Sequence, residues 1–130
     1  MNSEKSSIMN KAIYFFDSYA ILEVLNGNVE YKKYKNSLVL TTKLNLFEVH
    51  HSILREKGEI TAESTLQQYT NILDFDKKII AKASILKLQQ KKRFLSMTDC
   101  IGYTLAAQLG IPFLTGDKQF KDFENVEFVK

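Results

Sequence analysis

Four carboxylates stand in this sequence at positions where they could do chemistry. Asp17 ends the apolar run 12–16, AIYFF, and Asp117 stands in Thr-Gly-Asp-Lys just after the apolar run 111–114, IPFL. Asp99 follows Ser96-Met97-Thr98 at the head of a helical pattern, and Glu48 lies within another. Acids that share a site repel one another unless they are protonated or neutralised by a cation, and hard oxygen donors suit Mg2+ or Mn2+. A metal held in this way positions a phosphodiester, lowers the pKa of an attacking water and screens the charge that builds on phosphate. Each acid also has a purely local reading. Asp99 completes a capping-box pattern, Asp17 fits a helix N-cap, and Asp117 fits a turn. Periodicity alone makes Glu48 a solvated residue, on the side of Arg55 and Ser52 and away from the apolar stripe Leu46, Val49, Ile53.

The other reactive side chains carry weaker signals. Cys100 is the single cysteine and has no orienting His nearby in sequence, which fits a buried small residue better than a nucleophile. His50 and His51 are adjacent, so on a helix they diverge by about 100° and make a poor shared metal site.

The elements that must position the acids follow from hydropathy patterning. The run 12–16 suits a central parallel strand, followed by a helix from Ser18 to Leu25 that Asn26-Gly27-Asn28 ends. Residues 37–42, SLVLTT, suit a second strand, after which 43–57 reads as a helix ending before Gly58. Residues 61–69 form an amphipathic pattern beginning at a Thr cap, 71–75 close it or form a short strand, and 76–93 read as a long helix with Ile79, Ile80, Ala83 and Leu86 inward. In 96–109, Ile101, Leu105 and Leu109 recur at four-residue spacing, with Gly102 and Ala106 small enough for close packing on a sheet. Gly110 is placed for a C-cap and Pro112 follows, so 111–114 reads as a buried strand. Alternation in 125–129, NVEFV, suits a final edge strand. Strands alternating with helices predict an α/β sandwich with a largely parallel sheet. The acids then fall at one edge, the carboxyl ends of the strands, where open α/β sheets bind ligands.

Composition bounds the rest. With 130 residues, 45% of them apolar, the chain suits one core, so 12–130 reads as a single domain behind a polar, frayed tail over 1–11. Eighteen basic against fifteen acidic side chains give a net charge of +3, which permits an anionic partner without demanding one. The segment 29–35, VEYKKYK, is read either as the solvated face of a short helix or as a basic, aromatic nucleic-acid surface. Lys91-Lys92-Arg93 is read as a cation cluster at a helix C-terminus, with phosphate contact as the other role. A single cysteine, no signal-peptide pattern and no apolar run approaching the ~18 residues of a membrane span predict a soluble, cytoplasmic protein without an internal disulfide.

The order FFDS, then L-x-L-F-E in a helix, then SMTDCIGYTLAAQLGIPFLTGD resembles the PIN domain family, and among its members the VapC-type toxins. NILDFD before the long helix is similar to another landmark of the family. The resemblance implies a three-layer α/β/α sandwich and Mg2+- or Mn2+-dependent endoribonuclease activity on RNA. It also implies a homodimer and inhibition by a small cognate antitoxin. Carried over by position, its acidic site, catalytic and metal-binding, falls on Asp17, Glu48, Asp99 and Asp117. Ser18 and Thr115 match its nearby hydroxyls. Apart from the resemblance, Lys118 is the foremost of the basic residues near the cleft that could contact RNA phosphate. Tyr19 stands where a small polar residue is frequent, and Gln119 where many relatives carry a further Asp. Two other readings stay open: a PIN-like module that binds RNA or protein without cutting, and a housekeeping PIN nuclease of RNA maturation. An aspartyl phosphatase is disfavoured because Tyr19 replaces the second Asp expected two residues after Asp17, and a receiver domain because no acid pair ends the first strand.

Overall fold

The computed structural model describes residues 11–130, so most of the expected tail lies outside the described residues. Aromatic and β-branched runs become four short strands: β1 (Ile13–Phe16), β2 (Leu38–Leu40), β3 (Phe113–Thr115) and β4 (Val126–Phe128). They pair in the order β2-β1-β3-β4, every pair parallel, with Tyr14 opposite Val39, Phe16 opposite Leu114, and Phe113 opposite Val126. Parallel strands need crossovers, and helices supply them: α1 (Ser18–Leu25), α2 (Lys43–Lys57), α3 (Glu59–Gln67), α4 (Lys77–Gln89) and α5 (Met97–Leu109).

The pleat sends alternate strand residues to opposite faces, and both faces are covered. Phe15 and Phe113 pack with Ile79 and Ala83 of α4 and Cys100, Ile101, Leu105 and Ala106 of α5. Phe16 and Leu114 pack on the other side with Ala20 and Ile21 of α1, Val49 and Ile53 of α2 and Ala62 of α3. The result is the expected three-layer α/β/α sandwich. Among the described residues no helix is long and apolar enough to cross a membrane.

Several boundaries differ from the sequence reading for physical reasons. α3 begins at Glu59 rather than at a Thr cap, because Gly58, at φ 88°, ends α2 and caps α3 in one turn. Residues 71–75 give one isolated bridge, Ile72 to Thr41, rather than a strand. α4 stops at Gln89, and Ile80 is 49% exposed rather than inward. The basic segment Val29–Tyr34 is a 3-10 helix whose Lys32 and Lys33 are exposed while Tyr31 and Tyr34 are buried. Those rings are therefore core residues, not a stacking surface. Tyr31 Oη donates to the Val129 carbonyl and Tyr34 Oη to Glu127 Oε2 at 2.6 Å, clipping the edge strand to the layer below it.

α5 lies close on the sheet because position 102 has no side chain. A Cβ there would stand 2.8 Å from Phe15 Cε1, and Phe15 is itself stacked on Phe113 at 5.6 Å between centroids. Gly102→Val is expected to lower the unfolding free energy by about 1–3 kcal/mol through overpacking. Urea denaturation checks this, and a variant as stable as the parent would contradict the close packing.

Candidate active site

Three of the four acids sit where an apolar element meets a helix start. β1 delivers Asp17, whose side chain caps α1 by accepting from Ala20 N at 2.8 Å. β3 ends at Thr115, and Asp117 caps the 3-10 turn Lys118–Phe120 by accepting from Gln119 N at 2.9 Å. α5 leads back into β3, so its first turn lies at the carboxyl edge of the sheet. There Asp99 forms a complete capping box: its Oδ2 accepts from Ser96 N at 2.9 Å while Ser96 Oγ accepts from Asp99 N at 3.0 Å. The local capping readings are therefore all realised in the structure.

The same residues also face one another. Asp17 is 3% exposed, and its second oxygen accepts from the Thr115 hydroxyl, which in turn accepts from Asp117 N at 3.0 Å. Burial pushes the Asp17 carboxyl up to about 7; the bonds from Thr115 and Ala20 oppose the rise, and the nearby charges of Asp99 and Asp117 reinforce it. Burial also raises half-buried Asp99, with the charges of Asp117 and Glu48 adding to it. Mutual repulsion thus links all four acids. Among the described residues the ion pair is Arg93 with Asp122, so none of the four acids is paired with a Lys or Arg.

Glu48 is exposed, as periodicity requires, yet it is tied to the site: Ser18 Oγ donates to Glu48 Oε1 at 2.5 Å. The hydroxyls expected near the acids, Ser18 and Thr115, each bond one of them. Lys118 is exposed beside Asp117. Gln119 meets the site through its backbone, donating to Asp117 and accepting from Arg93 Nη1 at 2.7 Å. Tyr19 covers Gly116, where a Cβ would stand 2.2 Å from Tyr19 Cε1, so that glycine is required by close approach. Cys100 is buried and its thiol is pushed up by that burial, and neither His joins the hydrogen bonds around the acids. Asn45 has no role in the sequence reading, and Arg93 has a different one. Arg93 lies beyond α4, where it forks onto Asp122 with both contacts at 3.0 Å, so it is not a helix-dipole cation. Thr42-Lys43-Leu44-Asn45 resembles a capping box and is the available signal for Asn45; the pairing of Arg93 with Asp122 has none.

The donor set is chemically suited to a hard divalent cation: four carboxylates, of which Asp17 and Asp99 are raised by burial and by their acidic neighbours, with no basic partner among the described residues. Asp17 uses both oxygens in hydrogen bonds, while Asp99, Asp117 and Glu48 each use one. As placed, no three of the described His, Cys, Asp or Glu side chains form a group that could hold an ion.

The charge arrangement sets a pH dependence. The folded value for Asp17, about 7, lies above its ordinary 3.8, so the protonated form is the one folding favours. Its contribution to stability is fully present below 3.8 and is lost as pH rises to about 7, and Asp99 acts in the same direction. In chelator, the thermal midpoint is expected to fall across this window, and Asp17→Asn is expected to flatten the fall. Calorimetry at stepped pH measures both.

The PIN domain family model matches residues 14–126. The chain is similar in structure to VapC20 of Mycobacterium tuberculosis, a sarcin-ricin loop cleaving toxin, with a TM-score of 0.73 at 18% identity over 90% of this chain and 99% of that one. It is also similar to a toxin–antitoxin complex from Klebsiella pneumoniae, with a TM-score of 0.71 at 19% identity over 88% of this chain and 95% of that one. VapBC2 from Rickettsia felis, bound to a DNA fragment from its promoter, gives a TM-score of 0.69 at 19% identity over 91% and 99%. Comparison with curated proteins by sequence returns no match. The structural likenesses speak for the fold and the family match for descent: the chain belongs to the PIN domain family.

Proposed function

We propose that this protein is a Mg2+- or Mn2+-dependent endoribonuclease that hydrolyses RNA phosphodiester bonds, and that it is the toxin of a type II toxin–antitoxin pair. The observation that carries the nuclease reading is Asp17, a buried carboxylate held by Thr115 beside other acids, with no cationic side chain among the described residues to balance it. Membership of the PIN family supports the reaction class, and the VapC toxin and VapBC complex among its structural relatives support the toxin role.

Asp17, Asp99, Asp117 and Glu48 would hold the ion, which when bound supplies charge neutralisation at the phosphate and a lower pKa for an attacking water. The chain's own groups do the positioning. Thr115 and the Ala20 amide fix Asp17, and the first turn of α5 fixes Asp99. Hydrolysis breaks a P–O bond, with one proton leaving the attacking water and one reaching the departing oxygen. Glu48, the exposed acid, would complete the set that holds the ion or orient the attacking water. Lys118, exposed beside Asp117, would attract the backbone phosphate. The protein is read as cytoplasmic. A homodimer has candidate surface in the exposed Ile80, Ile85 and Leu88 of α4 with Phe94 and Met97, and the antitoxin would need apolar surface of the same kind.

A second reading, a PIN fold that binds RNA or a protein without cutting, is favoured by one observation. Among the described residues no three His, Cys, Asp or Glu side chains, as placed, form a group that could hold an ion. Incubation with single-stranded and structured RNAs in Mg2+, Mn2+ or chelator separates the two. Cleavage should require the metal and fall at least about 100-fold in Asp17→Asn and Asp99→Asn. Cleavage that survives both substitutions overturns the nuclease assignment to this site. Mn2+ at 100 times its Kd should stabilise the parent by about 2.7 kcal/mol, and Asp99→Asn should lose that gain. Co-expression with the product of a neighbouring small gene should give a complex and relieve toxicity.

A further inference from the structure

Glu48 poses a problem of control. It projects from the exposed side of α2, where a glutamate normally samples many rotamers. Its one hydrogen bond comes from Ser18, and a serine hydroxyl has a single proton that can rotate to other acceptors. Such an acceptor is close by, because the Asn45 carbonyl oxygen lies 3.5 Å from Ser18 Oγ.

Asn45 resolves the ambiguity. It is 2% exposed, and both ends of its side-chain amide are engaged. Thr42 Oγ1 donates to Asn45 Oδ1 at 2.6 Å, and Asn45 Nδ2 donates to Ser18 Oγ at 3.1 Å. Thr42 Oγ1 also accepts from Asn45 N at 3.2 Å, which leaves the Thr42 proton free for the amide oxygen. With a lone pair of Ser18 Oγ filled by an N–H, the serine proton is directed outward to Glu48 Oε1. The donors all run one way: Thr42 to Asn45, Asn45 to Ser18, Ser18 to Glu48. A flipped amide would present its oxygen to Ser18 and draw that proton away from Glu48.

We infer that Asn45 is a positioning residue: it orients the Ser18 hydroxyl so that Glu48 is held over the acidic site. Asn45 and Glu48 are three apart on α2 and so share a side, while Ser18 directly follows Asp17. The relay therefore joins the acid that follows β2 to the acid that follows β1. This inference rests on the reading of Glu48 as part of a metal-dependent nuclease site.

A cycle of Asn45→Leu and Glu48→Gln tests it. Asn45→Leu should lower kcat on RNA about tenfold or more, as loss of an outer positioning contact does at metal sites. In the Glu48→Gln background the same substitution should lower kcat no further, although it lowers the thermal midpoint equally in both. Asn45→Asp keeps the side chain's shape and the bond from Thr42 but turns an acceptor towards Ser18, and it should match Asn45→Leu in lost kcat. An equal fall of kcat in both backgrounds, or full activity of folded Asn45→Leu, overturns the relay while leaving the nuclease reading intact. A Glu48→Gln protein that cuts normally removes Glu48 from the site and the relay with it. If the parent cuts no RNA, the nuclease reading fails separately. The cycle is then read on Mn2+ affinity, where coupling between the two positions upholds the relay and its absence overturns it.

Discussion

The carboxyl group of Asp17, buried at the end of a central strand, is the constraint to which the rest of the site answers. Phe16 lies opposite Leu114, so the next residues out, Asp17 and Thr115, meet at the carboxyl ends of neighbouring strands. Burial penalises the charged form, and a carboxylate taken from water must be protonated, hydrogen-bonded or paired with a cation. Here hydrogen bonds from Thr115 and Ala20 do part of that, while Asp99 and Asp117 work against it. No core needs such a grouping, since an apolar residue at position 17 would pack without the penalty. The fold therefore tolerates an unfavourable charge arrangement, which is the expected condition of a site kept for its chemistry rather than for stability.

Much of the remaining architecture serves to keep that edge in register. The stacked pair Phe15 and Phe113 locks β1 to β3 beneath α5, and the bare position 102 lets α5 settle close enough for its first turn to carry Asp99 to the edge. On the outer side, Arg93 forks onto Asp122 and also reaches the Gln119 carbonyl, tying the segment after α4 to the turn that holds Asp117. Arg93 stacks over Phe123 as well, at 4.9 Å from its centroid, so the tie is both polar and apolar. Tyr31 and Tyr34 secure β4 from the opposite layer. These contacts lie away from the acids but fix the elements from which the acids project.

How much of this was legible in sequence depends on how local each cause is. β1, α1 and the α5-to-β3 unit were readable because hydropathy, caps and the Gly110 stop agree within a few residues. Asp17 and Asp117 stand out because each follows closely on an apolar run. Glu48 could not be recovered from periodicity, since its helix does leave it exposed. What brings it to the site is Ser18, thirty residues earlier, through a contact no local pattern encodes. Arg93 was misassigned for the same reason, its partner being 29 residues away. The two tyrosines of 29–35 looked like a surface because their lysine neighbours are charged, whereas a 3-10 turn places both rings inward. α3 was misplaced at its start because Gly58, not Thr61, makes the turn.

The capping bonds and the proposed metal site stand in a relation that bears on how such a site could work. Asp99 and Asp117 each commit one oxygen to a backbone amide of their own helical turn, which fixes the carboxylate plane and leaves the other oxygen to a different partner. An N-cap contributes about 0.5–2 kcal/mol, enough to hold a rotamer but little against the repulsion that a divalent ion would relieve. Capping is thus no argument against a ligand role. It orders the carboxylates before any ion arrives, and so reduces the conformational entropy that binding must overcome. Glu48 differs, because it has no helix amide to hold it and depends on a hydroxyl that another side chain must orient. Of the four acids it is the one whose position can be altered without disturbing a helix start. Variation at Ser18 and Asn45 would then tune the site, at a cost in stability because Asn45 is buried and bonded to the Thr42 cap of α2.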